Sequence, residues 1–428
     1  MRHLAAALAL ALGLGCGSDF PAPNATPPSA PADNDPAFSV RGTGWYIVGN
    51  AATPSQDTMS LEVFFPPGTD FIDVWVADLP VQRLAVTNGI FVGDVDLSGL
   101  PIGSYDVVLA ANGSDVAFAK LPLVRSAPYY VLVTTDWDFS DPGTDVLDYQ
   151  DRIHDDHPEM RITHFVGPYT FTDPAVSPAR QQELVSWLVE QRDTHRDEIG
   201  LHIHPYCNFV ESAGVTCVVD QSTTMAMDPT GYTIKVDAYD RQQFGILLDH
   251  ASMLFETNGL NRPKTFRAGG WTAGIDTLNA LADKGFTADT SALNWERIEE
   301  WEGKELYRWN MEHWAPIGDT SQPYFPNTAD PLSSAAPNST LLEVPDNGVM
   351  IDYVTLAEMN GLFDANWNGE PLSAPTTLMM GFHPSDRFSR GEGTRVDEFL
   401  KYSDAKSSGA HLGPVVYITL DELVPAYR

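Results

Sequence analysis

The chain has 428 residues, of which 43% are hydrophobic and 19% charged, and its formal net charge is -33 at pH 7. The length allows two domains, and the composition is ordinary for a soluble globular protein. The negative charge argues against nucleic acid and anionic lipid as electrostatic partners, because proteins bind both through Lys and Arg. It predicts a solubilising, self-repelling surface.

Residues 1–15 have the pattern of an export signal, with one early Arg, an apolar run too short to span a bilayer, and small residues before Cys16. They also resemble a bacterial lipoprotein signal, in which that Cys is lipidated; ordinary secretion is the alternative. Residues 16–37, rich in Pro, Ala, Asn and Asp, predict a linker. We therefore expect an exported protein, held by a lipid on Cys16 at the outer membrane of a bacterial envelope, facing the periplasm or the surface.

With Cys16 assigned to the anchor, Cys207 and Cys217 remain, and an exported compartment permits disulfides. A disulfide between them is one hypothesis and two free thiols are the other. The bond would close a short loop and stabilise it by about 2–3 kcal/mol.

Residues 38–126 contain short alternating apolar runs separated by Pro-Gly, Asn-Gly and Gly-Ser turns. This spacing predicts a β-sandwich of the immunoglobulin-like class. No His occurs between His3 and His154, so we expect this domain to act as a spacer or a carbohydrate contact rather than as a catalyst.

Residues 127–428 alternate apolar strand candidates with helical patterns, which predicts an α/β parallel sheet or barrel. Three helices are expected, over the segment beginning at Ser177-Pro178, over Asp240 to Asn258 and over about Thr272 to Lys284. In such folds the functional groups lie at the carboxyl ends of the strands.

The run Tyr129 to Phe139 is an apolar β-branched strand that ends at Asp136 and Asp138. Strand periodicity places both carboxylates on one face, where like charges need a cation or a shared proton. A solvated strand end is the simpler alternative. An EF-hand loop is excluded, because Asp141 occupies its Gly position and Leu147 its bidentate Glu position.

The segment Glu198-Ile-Gly-Leu-His-Ile-His-Pro places His202 and His204 at strand spacing on one face. Such an imidazole pair is a good zinc site, and Asp138 or Asp136 can supply an oxygen ligand. A lone His is more often a packed or hydrogen-bonded residue. Two of them, at the end of a strand opposite an Asp-x-Asp, favour a metal.

Three later segments each leave polar residues at a predicted strand end. The first has Arg267 followed by glycines, the second offers Asp289, Ser291 and Trp295, and the third ends in His383. Singly they would indicate an ordinary ion pair, a polar turn and a surface histidine.

In chain order the motifs are Asp-x-Asp, Glu-Ile-Gly-x-His-x-His, Phe-Arg-x-Gly, Asp-x-Ser-x-x-x-Trp and Phe-His-Pro. From about Tyr129 to Tyr427 this series resembles the polysaccharide deacetylases, the NodB-homology or carbohydrate esterase family 4 group. The resemblance implies a distorted (β/α) barrel, a divalent metal with Zn²⁺ as the expected ion, and hydrolysis of N- or O-acetyl groups on a glycan.

Matched to that family, Asp136 corresponds to the catalytic base and Arg267 to the arginine that orients it. Asp138 corresponds to the metal-binding acid and His202 to the first metal histidine. His383 corresponds to the general acid. These roles are implied by the resemblance.

The chain departs from the family in two places. The usual second histidine position holds Tyr206, so His204 must replace it as the third ligand. The arginine is followed by Ala268-Gly-Gly-Trp, a segment that the resemblance places at the substrate groove. Insertions around Tyr206 to Lys235 and near Trp314 to Asn338 are expected to form loops over the same rim. The expected substrate-binding residues are Trp271, Tyr206, Asp289 and Trp295.

Two other functions remain open at this stage. A related C–N hydrolase acting on a small amide would use the same residues behind a closed pocket. A surface protein that binds glycans without turnover would need no base, orienting arginine and acid together, and the three residues argue against it.

Overall fold

A computed structural model describes residues 20–428. The expected signal peptide and Cys16 lie outside these residues. The chain forms two compact units. The first comprises the described residues up to Pro128 with Gly369–Pro375 and Ala405–Val416, and the second comprises Tyr129–Asn368, Thr376–Asp404 and Tyr417–Arg428.

The first unit contains an eight-stranded, mainly antiparallel sheet. Its strands are β1 (Ser39–Arg41), β2 (Gly44–Ile47), β3 (Thr58–Phe64), β4 (Ile72–Val76), β5 (Leu79–Thr87), β6 (Ile90–Asp96), β7 (Gly103–Ala111) and β8 (Ala119–Ser126). In β3, Met59, Leu61 and Val63 are buried while their neighbours are more exposed, the alternation of a strand with one face on a core. The all-β content expected for residues 38–126 is therefore present, and the immunoglobulin-like class stays a prediction.

The second unit alternates strands and helices around a parallel sheet. Its strands are β9 (Tyr129–Asp136), β10 (Ile162–Val166), β11 (Glu198–Ile203), β12 (Thr265–Ala268), β13 (Ala288–Asp289), β14 (Leu342–Glu343) and β15 (Thr376–Phe382), and β16 (Val415–Tyr417) ends where the chain returns to this unit. Its helices are α1 (Thr144–Asp156), α2 (Pro178–Glu190), α3 (Cys207–Ser212), α4 (Arg241–Thr257), α5 (Ile275–Asp283), α6 (Glu305–Trp314), α7 (Leu356–Asn366), α8 (Gly393–Asp404) and α9 (Leu420–Leu423).

The strand order is β14-β13-β12-β11-β10-β9-β15, with every neighbouring pair parallel. All eight residues of β9 are buried, as expected for a strand covered on both faces. The α/β architecture predicted for this part of the chain is confirmed. Because all these strands run in the same direction, their carboxyl ends lie along one edge.

The expected helices form close to their predicted bounds. Ser177 caps α2 by accepting a hydrogen bond from the Arg180 backbone, and Asp240 forms a capping box at the start of α4. The third helix begins only at Ile275, since the chain first makes a short helical turn at Gly269–Trp271. Within residues 20–428, every helix is too short or too polar to cross a bilayer.

His157, next to the C-terminal end of α1, links that helix to α8. Its Nδ1 lies 2.6 Å from Asp404 Oδ2 and its Nε2 3.1 Å from Asp397 Oδ1. Burial lowers the pKa of His157, but the two carboxylates outweigh it, so the pKa lies above its usual value.

We expect this contact to make stability depend on pH. A histidine with a raised pKa in the folded state stabilises fully below its unfolded pKa of about 6.5 and loses that contribution as pH rises through the folded pKa. Urea unfolding should show a loss of about 1.5–3 kcal/mol in the free energy of unfolding over this rise, the scale of a hydrogen bond to a charged group. In His157→Asn the loss should be absent, and an equally steep pH dependence in the variant would contradict this origin.

Candidate active site

The carboxyl ends of four strands bring the predicted functional side chains to one edge of the sheet. Asp136 is the last residue of β9, and Arg267 lies in β12. His202 lies in β11, and His204 follows its end. His383 directly follows β15. Residues that are far apart in the sequence thus meet because the strands are parallel.

Asp136 and Arg267 form a buried ion pair. Arg267 Nη1 donates to Asp136 Oδ1 at 2.9 Å and to Thr134 Oγ1 at 2.9 Å. On its other side, Arg267 Nη2 lies 3.2 Å from Asp346 Oδ2. The guanidinium is fully buried between these two carboxyl groups. This arrangement holds Asp136 in one orientation in the wall of a cavity at this edge of the sheet.

Asp138, His202 and His204 form a group in which one ligand atom from each lies within 4.8 Å of the others. Asp138 Oδ1 lies 3.2 Å from His202 Nε2 and 3.4 Å from His204 Nε2. Although burial raises the pKa of Asp138, the charges of His383 and His204 and the His202 hydrogen bond hold it well below its usual range. The group offers one oxygen and two nitrogen atoms, a set that suits zinc.

Hydrogen bonds to the other ring nitrogen orient both histidines. His202 Nδ1 lies 2.9 Å from the Arg267 carbonyl oxygen, and His204 Nδ1 lies 2.7 Å from the Tyr232 carbonyl oxygen. Because a carbonyl only accepts, each Nδ1 carries a proton, which leaves Nε2 as the ring atom that a metal can bind after loss of any proton it shares with Asp138. His204 Nε2 is buried and has no hydrogen-bond partner among residues 20–428. Both Nε2 atoms thus face the space between Asp138 and the two rings, and a metal binding there would displace their protons.

His383 is paired with Asp352, a residue absent from the predicted site. Its Nδ1 lies 2.7 Å from Asp352 Oδ2, and its Nε2 lies 3.8 Å from Asp138 Oδ1. Burial lowers the pKa of His383, but the charges of Asp138 and Asp352 outweigh it and raise the pKa to about 10. His383 is therefore a protonated group with one N–H directed toward the Asp138 carboxylate.

A cavity of about 440 Å³ opens over these groups. Asp136, Asp138, His202, His204 and His383 lie in its wall. The remaining wall is largely apolar and aromatic and includes Met225, Tyr232, Trp271, Trp301, Leu306 and Tyr353. Several of these residues belong to segments 223–234 and 301–306, so segments outside the parallel sheet form much of the cavity wall.

Trp271 has a left-handed backbone conformation, with a φ of 54°. A bulky residue rarely adopts this conformation, and such outliers concentrate at functional sites. Its ring makes edge contacts with His383 at a centroid distance of 6.3 Å and with Trp295 at 5.9 Å. The constrained turn thus places the Trp271 ring beside His383.

The other three expected substrate-binding residues do not line the cavity. Tyr206 Oη donates to the Asp138 carbonyl oxygen at 3.1 Å, and Tyr206 is not part of the cavity wall. Asp289 is fully buried and accepts from Ser291 Oγ at 2.9 Å. Trp295 is buried behind Trp271. Substrate contact by these three residues stays a prediction that their positions do not favour.

Cys207 and Cys217 form a disulfide with a Cα–Cα distance of 5.2 Å. The bond closes a loop at the start of the inserted segment 206–235, the segment that also contains Tyr232. Of the two hypotheses left open by the sequence, the structure contains the bonded one.

Sequence reasoning missed Asp346 and Asp352. Asp346 follows Leu341-Leu-Glu-Val-Pro, an apolar strand candidate, so the rule that singled out Asp136 could have found it. Asp352 lies in a turn between β14 and α7 with no strand or helix periodicity. Its role depends on how the turn folds back to His383, for which the sequence contains no pattern.

The chain matches no family model and none of the curated proteins. Similar solved structures include a Mycobacterium smegmatis protein described as a polysaccharide deacetylase, 15% identical, covering 69% of this chain and 89% of that chain, with a TM-score of 0.41. A family 4 carbohydrate esterase from Streptomyces lividans is 10% identical over 65% and 90%, with a TM-score of 0.33. A CE4 family pseudoenzyme from Bacillus anthracis is 10% identical over 70% and 67%, with a TM-score of 0.35.

These structures come from the group that the motifs resemble. The assignments made for this chain rest on its own strand order and side chains.

Proposed function

We propose that this protein is a metal-dependent hydrolase that removes N- or O-linked acetyl groups from a glycan, on a barrel of the NodB-homology type. The observation that supports this most directly is the convergence of three functional pairs or groups on one cavity. They are the Asp136–Arg267 pair, the Asp138, His202 and His204 group, and the His383–Asp352 pair. They supply a base, a metal site and an acid.

The residues present fit a divalent metal. Both histidines have their Nδ1 atoms committed to carbonyl oxygens, and the buried His204 Nε2 has no partner among the described residues. One carboxylate and two imidazoles suit Zn²⁺, with an open position for water or substrate. When bound, the metal would polarise the acetyl carbonyl and acidify a water molecule.

The side chains of this chain perform the proton transfers. Asp136, aligned by its hydrogen bond from Arg267, accepts a proton from the attacking water. As the bond from the acetyl carbon to nitrogen or oxygen breaks, His383 donates its proton to the departing amine or alcohol. Asp352 orients His383 and stabilises its charge. The products are acetate and a free amine or hydroxyl group, and solvent exchange returns a proton to His383 and removes one from Asp136.

For the location, we propose export with a lipid anchor on Cys16, supported by the apolar run and small residues before it. The Cys207–Cys217 disulfide suits an oxidising compartment. The acetylated glycan would then belong to the envelope or its surroundings.

A related C–N hydrolase of small amides is the second candidate. The observation that favours it is the enclosure of the cavity by segments 223–234 and 301–306, which suits a compact substrate. The same catalytic residues would serve both substrates.

The test combines metal analysis of the purified protein with acetate release from acetylated oligosaccharides and from small acetamides. The proposal predicts one zinc per chain and acetate release that a chelator abolishes and Zn²⁺ restores. Release from small amides alone would favour the second candidate. A metal-loaded protein that binds glycans but releases no acetate would instead be a binding protein.

A further inference from the structure

Tyr232, in the inserted segment 206–235, contacts two of the three proposed metal ligands. Its Oη donates to Asp138 Oδ2 at 2.9 Å. Its carbonyl oxygen accepts from His204 Nδ1 at 2.7 Å. Its ring packs against the His204 ring with a centroid distance of 4.5 Å. One residue thus restrains both Asp138 and His204.

The contact with Asp138 separates the functions of its two carboxylate oxygens. Oδ1 faces His202 Nε2 at 3.2 Å and His204 Nε2 at 3.4 Å. Oδ2 accepts the hydrogen bond from the Tyr232 hydroxyl. A carboxylate with one oxygen already hydrogen-bonded has its rotation restricted, so Oδ1 remains directed at the imidazoles.

Several contacts restrain the backbone around Tyr232 and so fix the direction of its side chain. Asp228 accepts hydrogen bonds from the backbone of Thr230 and Thr233, at 2.8 Å each, on either side of Tyr232. Gly231 has a φ of +83°, and a Cβ atom there would lie 2.1 Å from the Pro205 carbonyl oxygen. Cys207, tied by the disulfide, donates its backbone N–H to the Thr230 carbonyl oxygen at 2.8 Å.

We propose that Tyr232 is a positioning residue for the metal site: its hydroxyl holds Asp138 with Oδ1 toward the ion, and its carbonyl fixes the tautomer of His204. The inference rests on the metal site of the proposed function. It also explains how His204 works as a ligand at this spacing, since the insertion supplies the partner that orients it. Groups that orient metal ligands in this way typically contribute about 10-fold to 100-fold in metal affinity.

The experiment compares Tyr232→Phe, which removes only the hydroxyl, with Tyr232→Ala, which also removes the ring packed on His204. The matched control is Tyr402→Phe, because Tyr402 Oη donates to Asp364 Oδ1 at 2.6 Å, the same kind of hydrogen bond in α8. Zn²⁺ affinity is measured by competition with a chelator. The Co²⁺-loaded proteins are compared by absorption spectra, which report the ligand arrangement without any activity, and melting curves check folding.

Tyr232→Phe should weaken Zn²⁺ binding by about 10-fold or more and alter the Co²⁺ spectrum, with Tyr232→Ala weaker still. Tyr402→Phe should match the wild type. Wild-type affinity and spectrum in Tyr232→Phe would overturn the inference and leave the proposed function intact, even if Tyr232→Ala were impaired, because packing rather than the hydroxyl would then matter. A wild-type protein that takes up no metal would overturn both.

Discussion

The His202→Ala, His204→Ala double variant should purify without zinc and lose acetate release. The two imidazoles supply two of the three ligand atoms that lie within 4.8 Å of one another, and Asp138 alone would retain a metal only weakly. A metal acting as a Lewis acid contributes several kcal/mol, and each 1.4 kcal/mol or so is tenfold in rate, so the rate should fall by about 10³-fold or more. Metal content by mass spectrometry and acetate release are measured on the same preparation.

The control is the double variant His250→Ala, His313→Ala, which removes the same number of imidazoles. His250 Nε2 contacts Ser212 Oγ at 2.9 Å, and His313 Nδ1 contacts the Trp309 carbonyl oxygen at 2.7 Å; neither side chain lines the cavity. This variant should keep wild-type zinc and activity. Stoichiometric zinc in the His202, His204 variant would refute the ligand set.

The part of this site that sequence reasoning predicted depends on one property of parallel sheets. Asp136 and His202 lie near the carboxyl ends of β9 and β11, and Asp138 and His204 follow those ends, so all four lie along the same edge of the sheet. Period-two spacing predicted that His202 and His204 share one face, and each contributes a ring nitrogen to the group with Asp138.

The residues that the sequence did not reveal lie on irregular backbone. Tyr232 reaches Asp138 from an insertion, and Asp352 reaches His383 from a turn. Neither segment has a hydrophobic period. The direction of the Tyr232 side chain depends on local turns near the Cys207–Cys217 disulfide, and that of Asp352 depends on its own turn. Conversely, Asp289 lies at the end of β13, yet its side chain turns into the protein to Ser291. The end of a strand thus predicts that a residue lies along the edge of the sheet. Whether its side chain reaches the cavity depends on the neighbouring side chains.

Asp136→Asn should separate the base from the metal ligands. The substitution keeps the shape of the side chain and an oxygen that can accept from Arg267 Nη1, while removing the ability to take a proton from water. Because a general base contributes about 10²-fold to 10⁴-fold, acetate release should fall by that factor. Zinc content should remain that of the wild type, since Asp136 lies outside the Asp138, His202 and His204 group.

A matched control is Asp141→Asn, which also neutralises an aspartate paired with an arginine. Asp141 Oδ2 accepts from Arg180 Nε at 2.9 Å, outside the cavity wall, and a partly exposed ion pair of this kind contributes little to stability. Wild-type acetate release is expected there. If Asp136→Asn also kept full activity, Asp136 would not be the base. If the Asp136→Asn variant instead lost zinc, Asp136 would be a metal ligand. The assignment of Asp136 as the base and of Asp138 as the metal-binding acid would then be wrong.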